Sequence, residues 1–156
     1  MNLRERYEHW MELAVREAED ALVRNEVPVG AVIVQNEKII GRGYNQIETL
    51  QDPTAHAEMI ALTAAASYLN SRRLGKTEMY VTLEPCPMCA GAIVLARIPL
   101  LVFGTYDPKA GACTTLYTIT NDTSLNHRVH TVGGVLEEKC SGIMKEFFKR
   151  QRKGRE

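Results

Sequence analysis

Two short segments, distant in the chain, make chemical sense only if folding brings them together: Thr54-Ala55-His56-Ala57-Glu58 and Glu84-Pro85-Cys86-Pro87-Met88-Cys89. Read as His-x-Glu and Pro-Cys-x-x-Cys, they offer one imidazole, two thiols and a carboxylate. A structural zinc site closes with four protein ligands, whereas a catalytic one stops at three and keeps a place for water. His56, Cys86 and Cys89 supply three. Glu58, two residues beyond the histidine, is then the proton carrier that metal-activated water needs. The chain must therefore fold so that two separate segments share one ion.

The local patterns supply elements that can do this. Tyr7, Trp10, Met11, Ala14, Ala18, Ala21 and Leu22 recur at three- and four-residue steps, an amphipathic first helix expected to stop at Pro28. Val29–Val34 and Lys38–Tyr44 read as a hairpin around Asn36-Glu37. Asp52-Pro53-Thr54 reads as a helix start, followed by an alanine- and leucine-rich helix over Ala55–Leu69. Glu78–Leu83, Cys86–Ala96 and Leu100–Gly104 then alternate strand, helix, strand, which points to an α/β fold with parallel neighbours. Asp107–Asn126 reads mostly as loop, Val129–Val132 as a short edge strand, and a basic C-terminal helix covers about 135–153.

On this layout His56 and Glu58 fall in the first turn of one helix and Cys86 and Cys89 in the first turn of another. Unpaired N–H groups and partial positive charge at a helix start favour thiolates. Cysteines at i and i+3 share a face, so both sulfurs can reach one ion.

With 156 residues the chain suits one domain, spanning residues 1–156. Nineteen basic residues balance nineteen acidic ones, so composition gives no sign of nucleic-acid binding and any such surface must be local. No apolar run reaches the roughly 18–20 residues of a membrane span. The charged N-terminus enters a helical pattern directly, unlike a signal peptide, and four cysteines without a leader suit a reducing compartment. A cytoplasmic protein is expected.

Plainer readings compete. Cys-x-x-Cys is also a redox pair or a structural zinc knuckle, for which Cys113 or Cys140 could complete four ligands. A redox pair explains neither Pro85 nor His-Ala-Glu, and a knuckle has no use for Glu58. Taken singly, Asn45 is as readily a turn residue after a strand, and the run from Lys149 to Arg155 is as readily a solvated helix end. Phe147 and Phe148 diverge by about 100° on a helix, so only one can follow the core stripe. The other is free to stack on a base or to meet a second subunit. His9 and His130 have no motif around them and read as surface residues.

Pro53-Thr54-Ala55-His56-Ala57-Glu58 together with Thr82-Leu83-Glu84-Pro85-Cys86-Pro87-Met88-Cys89-Ala90-Gly91-Ala92 resembles the cytidine/deoxycytidylate deaminase superfamily. Glu26-Val27-Pro28-Val29-Gly30-Ala31-Val32, Asn45, Phe103-Gly104, Asp107-Pro108-Lys109, Asn126-His127-Arg128 and Phe147-Phe148-Lys149 extend the likeness to its bacterial tRNA-specific adenosine deaminases. Ile98-Pro99-Leu100-Leu101 and the stretch Cys113–Ile119 depart from the pattern of that branch.

The resemblance implies a three-layer α/β/α fold with a central mixed five-stranded sheet, cytidine deaminase-like. It implies one Zn(2+) per subunit on His56, Cys86 and Cys89, Glu58 as the catalytic acid–base, and a homodimer acting on a tRNA anticodon stem-loop. Substrate-binding roles are implied for Asn45, Pro28, Val29 and Ala57 around the base. Asp107, Lys109, Asn126, His127, Arg128, Phe148, Lys149 and Arg152 are implied to contact flanking RNA. The expected reaction turns wobble adenosine into inosine and ammonia. Two other readings stay open: deamination of a free base or nucleoside such as guanine or cytosine, and a non-catalytic zinc-stabilised RNA-binding protein.

Overall fold

A computed structural model describes residues 1–155 of the chain. Helix α1 spans Leu3–Val23, opened by Asn2, whose side-chain oxygen accepts from the Glu5 amide. It stops before the expected Pro28. Asn25 adopts a left-handed φ of 58° and the Glu26 amide reaches back to the Ala21 carbonyl, so a Schellman turn closes the helix first.

The hairpin forms as expected. Strands β1 (Gly30–Gln35) and β2 (Lys38–Tyr44) pair antiparallel across Asn36 and Glu37, both with positive φ, as a two-residue turn of matching twist requires. The remaining strands are β3 (Glu78–Leu83), β4 (Leu100–Thr105) and β5 (His130–Val132), and the sheet order is β2-β1-β3-β4-β5. β3, β4 and β5 run parallel, while β1 is antiparallel to both β2 and β3. The sheet is mixed and five-stranded.

Alternation along the strands builds two cores. Ala31, Ile33, Met79, Val81, Leu101 and Phe103 face helices α3 (Ala57–Leu69) and α4 (Pro87–Leu95). Val32, Val34, Tyr80 and Val102 face α1 and helix α5 (Glu137–Lys153). The result is three layers, α/β/α. A four-residue helix α2 (Ile47–Leu50), absent from the sequence reading, follows β2, and a 3₁₀ turn at Ile119–Asn121 interrupts the long loop after β4. No helix among the described residues is long and apolar enough to cross a membrane.

Strand direction decides where the site sits. β2, β3 and β4 all run the same way, so their C-terminal ends meet at one edge of the sheet, where the chain also enters β1. Asn45, Glu84 and Tyr106 each follow one of those ends directly. Close packing holds this edge together. A Cβ on Gly43 would meet the Ala57 carbonyl and the Ala61 amide, so glycine lets α3 lie directly on β2.

Glu26 secures the same edge. Its carboxylate is 2% exposed and accepts from the Thr49 amide and hydroxyl, each at 2.6 Å, and from the Glu48 amide at 3.1 Å. Burial opposes ionisation, yet the hydrogen bonds from Thr49 and Glu48 outweigh it and hold the group below the usual glutamate range. A carboxyl lowered on folding stabilises above its ordinary pKa of about 4.3, and that contribution is lost as pH falls through the folded-state value. Glu26→Gln is therefore expected to lose about 1–3 kcal/mol at neutral pH. The gap to wild type should shrink in acid. Denaturant titrations at pH 7 and pH 4 measure it, and a gap that widens in acid would contradict this account.

Candidate active site

His56 is the N-cap residue of α3 and Cys86 the N-cap of α4, with Glu58 and Cys89 one turn inside. The second helix thus begins one residue later than read from sequence and the first begins two later. Thr54 does not cap α3; it closes a turn in which the Asp52 carboxylate accepts from the Thr54 amide and hydroxyl. Extended backbone at both N-caps turns the ligand side chains toward each other.

His56 Nδ1 lies 3.6 Å from Cys86 Sγ and 3.5 Å from Cys89 Sγ. Zinc–sulfur bonds of about 2.3 Å and zinc–nitrogen bonds of about 2.0–2.1 Å, meeting at a tetrahedral angle, set nitrogen and sulfur about 3.6 Å apart. The donor set and its spacing fit a zinc ion with one position open. Among the described residues this is the one group of three His, Cys or acidic side chains so arranged. Cys113 and Cys140 stand apart from it, and burial pushes each of their thiols up to about 12.

One hydrogen-bonded proton network links the three donors. A hydrogen bond from Cys89 opposes burial and brings the Cys86 thiol down to about 4, with His56 adding to the shift. Cys89, as donor to Cys86 and buried, keeps its proton far above the ordinary range, and the bond with Cys86 raises His56. A cation entering the group releases those protons.

Glu58 is 4% exposed and lines a cavity of about 450 Å³ beside the donors. Burial lifts its carboxyl to about 7, partly offset by its own backbone amide and by His56. A bound cation pulls the other way, favouring the carboxylate. Asn45, also buried, accepts at Oδ1 from the Ala57 amide at 2.9 Å, which fixes its side chain and leaves the amide nitrogen toward the cavity. Val29 lines the wall, and Ala57 stands behind Asn45. Pro28 is buried but lies outside the lining; Val27 takes that place.

The rim divides the remaining candidates. Asp107, Lys109 and Phe148 line the cavity. Phe147 is buried and Phe148 is 45% exposed, the divergence expected of neighbours on a helix. Lys109 and Phe148 continue into a second groove of about 400 Å³ with Lys145, Gln151, Arg152 and Arg155. Lys149 lines neither. Asn126, His127 and Arg128 form a separate cluster: Asn126 accepts from Arg97, His127 donates from Nε2 to the Ile98 carbonyl at 2.8 Å, and Arg128 donates to the Thr123 carbonyl.

Sequence reading missed Ile47, Tyr106, Met144 and Lys145 in the cavity. One signal was available. Ser141, Lys145, Phe148 and Arg152 recur at steps of four and three, so they share one face of α5, from which Lys149 is excluded, and Arg155 follows just past its end.

A mixed sheet whose edge gathers a His-x-Glu helix start and a Pro-Cys-x-x-Cys helix start around a base-sized cavity defines a deaminase of the cytidine deaminase-like fold. The MafB19-like deaminase family profile matches residues 5–152. The tRNA-specific adenosine deaminase of Bacillus subtilis (strain 168) is 47% identical over 146 residues, covering 94% of this chain and 91% of its own. That of Aquifex aeolicus (strain VF5) is 46% identical, covering 93% and 95%. A structure from studies of A-to-I editing by tRNA:A34 deaminases superposes with a TM-score of 0.83 at 41% identity, covering 86% of this chain and 98% of that one. The chain belongs to the family of tRNA-specific adenosine deaminases.

Proposed function

We propose that this protein hydrolyses the amino group of adenosine at the wobble position of a tRNA anticodon loop, giving inosine and ammonia. The observation that carries the reading is one juxtaposition: three metal donors at tetrahedral spacing, a buried carboxylate beside them, and a cavity that opens onto an aromatic and cationic rim.

His56, Cys86 and Cys89 would hold zinc, which supplies Lewis-acid activation of water. The Asn45 amide nitrogen donates to the base edge, its orientation fixed by the Ala57 amide. Val27, Val29 and Ile47 wall the apolar face of the base, with Pro28 behind them. Glu58 takes a proton from water as the water oxygen bonds to adenine C6, and delivers it to N1. It then carries the hydroxyl proton to the amino group, the C6–N6 bond breaks, and ammonia leaves. Burial raises this carboxyl and a bound cation would lower it, so the two pulls on its proton oppose each other.

Phe148 offers a face for stacking a splayed base, and Lys109, Lys145, Arg152 and Arg155 offer phosphate contacts beside it. Asp107 belongs to the same rim. Asn126, His127, Arg128 and Lys149 are assigned to more distant stretches of the stem-loop. The active unit is a homodimer: Leu95 at the end of α4, and Leu116 and Tyr117 on the long loop after β4, remain exposed in one chain. All four cysteines are free, as a reducing compartment requires, which favours the cytoplasm.

Purified protein offered an anticodon stem-loop with adenosine at the wobble position should produce inosine there, while free guanine, cytosine and their nucleosides stay intact. Ammonia from a free base, with the RNA untouched, would replace this reading by the free-base one. Inertness toward both in a zinc-loaded preparation would favour the non-catalytic one. Sedimentation at micromolar concentration tests the dimer, and a monomer would exclude it.

A further inference from the structure

Glu84 follows the last residue of β3 and immediately precedes Pro85-Cys86, is 1% exposed, and is not used by the chemistry above. Its Oε1 accepts from the Asp107 amide at 3.1 Å and from the Thr115 hydroxyl at 2.5 Å. Its Oε2 accepts from three successive amides, those of Cys113, Thr114 and Thr115, at 3.1, 2.8 and 2.9 Å. Successive N–H groups converging on one oxygen form an anion-binding concavity of backbone, here filled from within the chain. The loop 107–115 is wound so closely around the carboxylate that a Cβ on Gly111 would meet it and the Asp107 carbonyl.

The outer side of this loop is the rim of the cavity. Tyr106, Asp107, Pro108, Lys109 and Ala110 line it, and Lys109 continues into the cationic groove. Regular secondary structure does not hold the segment; its two ends are fixed to one buried anion. We propose that Glu84 is a positioning residue for substrate: by clamping loop 107–115 it sets the grip on the RNA flanking the reacting base, without entering the proton transfers. This rests on the tRNA deaminase reading and deepens it.

Glutamine is a severe change at this position despite its shape. It offers one oxygen and one NH₂, so either the Asp107 and Thr115 hydroxyl donors or the three successive amides would face another donor. Glu84→Gln should release the loop while leaving Cys86, Cys89 and Glu58 in place, because the Ala112 amide still binds the Pro85 carbonyl. On the stem-loop with wobble adenosine, KM is expected to rise at least about tenfold with kcat within about threefold of wild type and one zinc retained per chain. Gly111→Ala, which keeps the carboxylate but displaces the loop, should shift KM in the same direction. Thr115→Val, which removes one of the five bonds, should shift it less, by about two- to fivefold, and stands in if Glu84→Gln fails to fold.

A fall in kcat at unchanged KM, or loss of zinc, would place Glu84 in the metal site and overturn the proposal. So would wild-type KM in the folded variants, with only Tm lowered. If the wild-type protein leaves RNA untouched, the tRNA reading itself fails. If wild type edits RNA and every variant keeps its KM, the clamp alone fails.

Discussion

Glu58→Gln is expected to abolish turnover and leave both zinc and fold in place. A positioned acid–base group contributes typically about 10²–10⁴ in rate, and Glu58 is assigned more than one proton transfer, so kcat should fall by at least about 10⁴. Stability should move the other way or not at all. Burial penalises the charged form of this carboxyl, and glutamine keeps its shape without the charge. Three measurements on one preparation decide the matter: single-turnover rate on the stem-loop, zinc by mass spectrometry, and Tm. Retained turnover in the zinc-replete variant would remove Glu58 from the mechanism. Loss of zinc would assign it to the metal instead.

The second large effect is expected at Cys86. The side chain is only half-buried, so Cys86→Ala removes little packing and its consequences report on metal binding. Zinc should drop from one per chain to well below that, and activity with it. An ion held at a thousand times its dissociation constant stabilises by about 4 kcal/mol. For a domain of this size that is roughly 8–16 °C in Tm. Treating wild type with a chelator should lower its Tm to that of the variant and leave the variant's own Tm unmoved. A variant that keeps one zinc per chain and its Tm would exclude Cys86 as a ligand.

Much of the fold was legible because its signals are periodic. The β1–β2 hairpin, the strand–helix–strand unit over 78–105 and the α5 stripe each follow from spacing and turn residues. Asn25 hid the true end of α1, since a left-handed asparagine carries less signal than the proline three residues on. Thr54 looked like a helix cap because it follows Asp-Pro, but its hydroxyl is engaged by Asp52. The candidate metal donors were legible as types and order, and their meeting followed from both segments lying at helix starts. Loop 107–115 was legible as loop, but what orders it was not. Its order comes from consecutive backbone N–H groups on one distant carboxylate, and backbone donors leave no trace in side-chain pattern. Glu84 was visible only as a letter in the cysteine motif.

The glycine at position 43 has a reach beyond packing. By letting α3 rest on β2, it brings Ala57 within a hydrogen bond of Asn45, so the group proposed to read the base and the group proposed to move its protons share one joint. On that reading neither is retuned alone, since a shift of Asn45 to suit a different ring pulls on the turn of α3 that carries Glu58. Novelty in substrate choice has to enter elsewhere, through the clamped loop and the exposed face of α5. A designer seeking a new target for this scaffold should leave the joint untouched and vary those two borders.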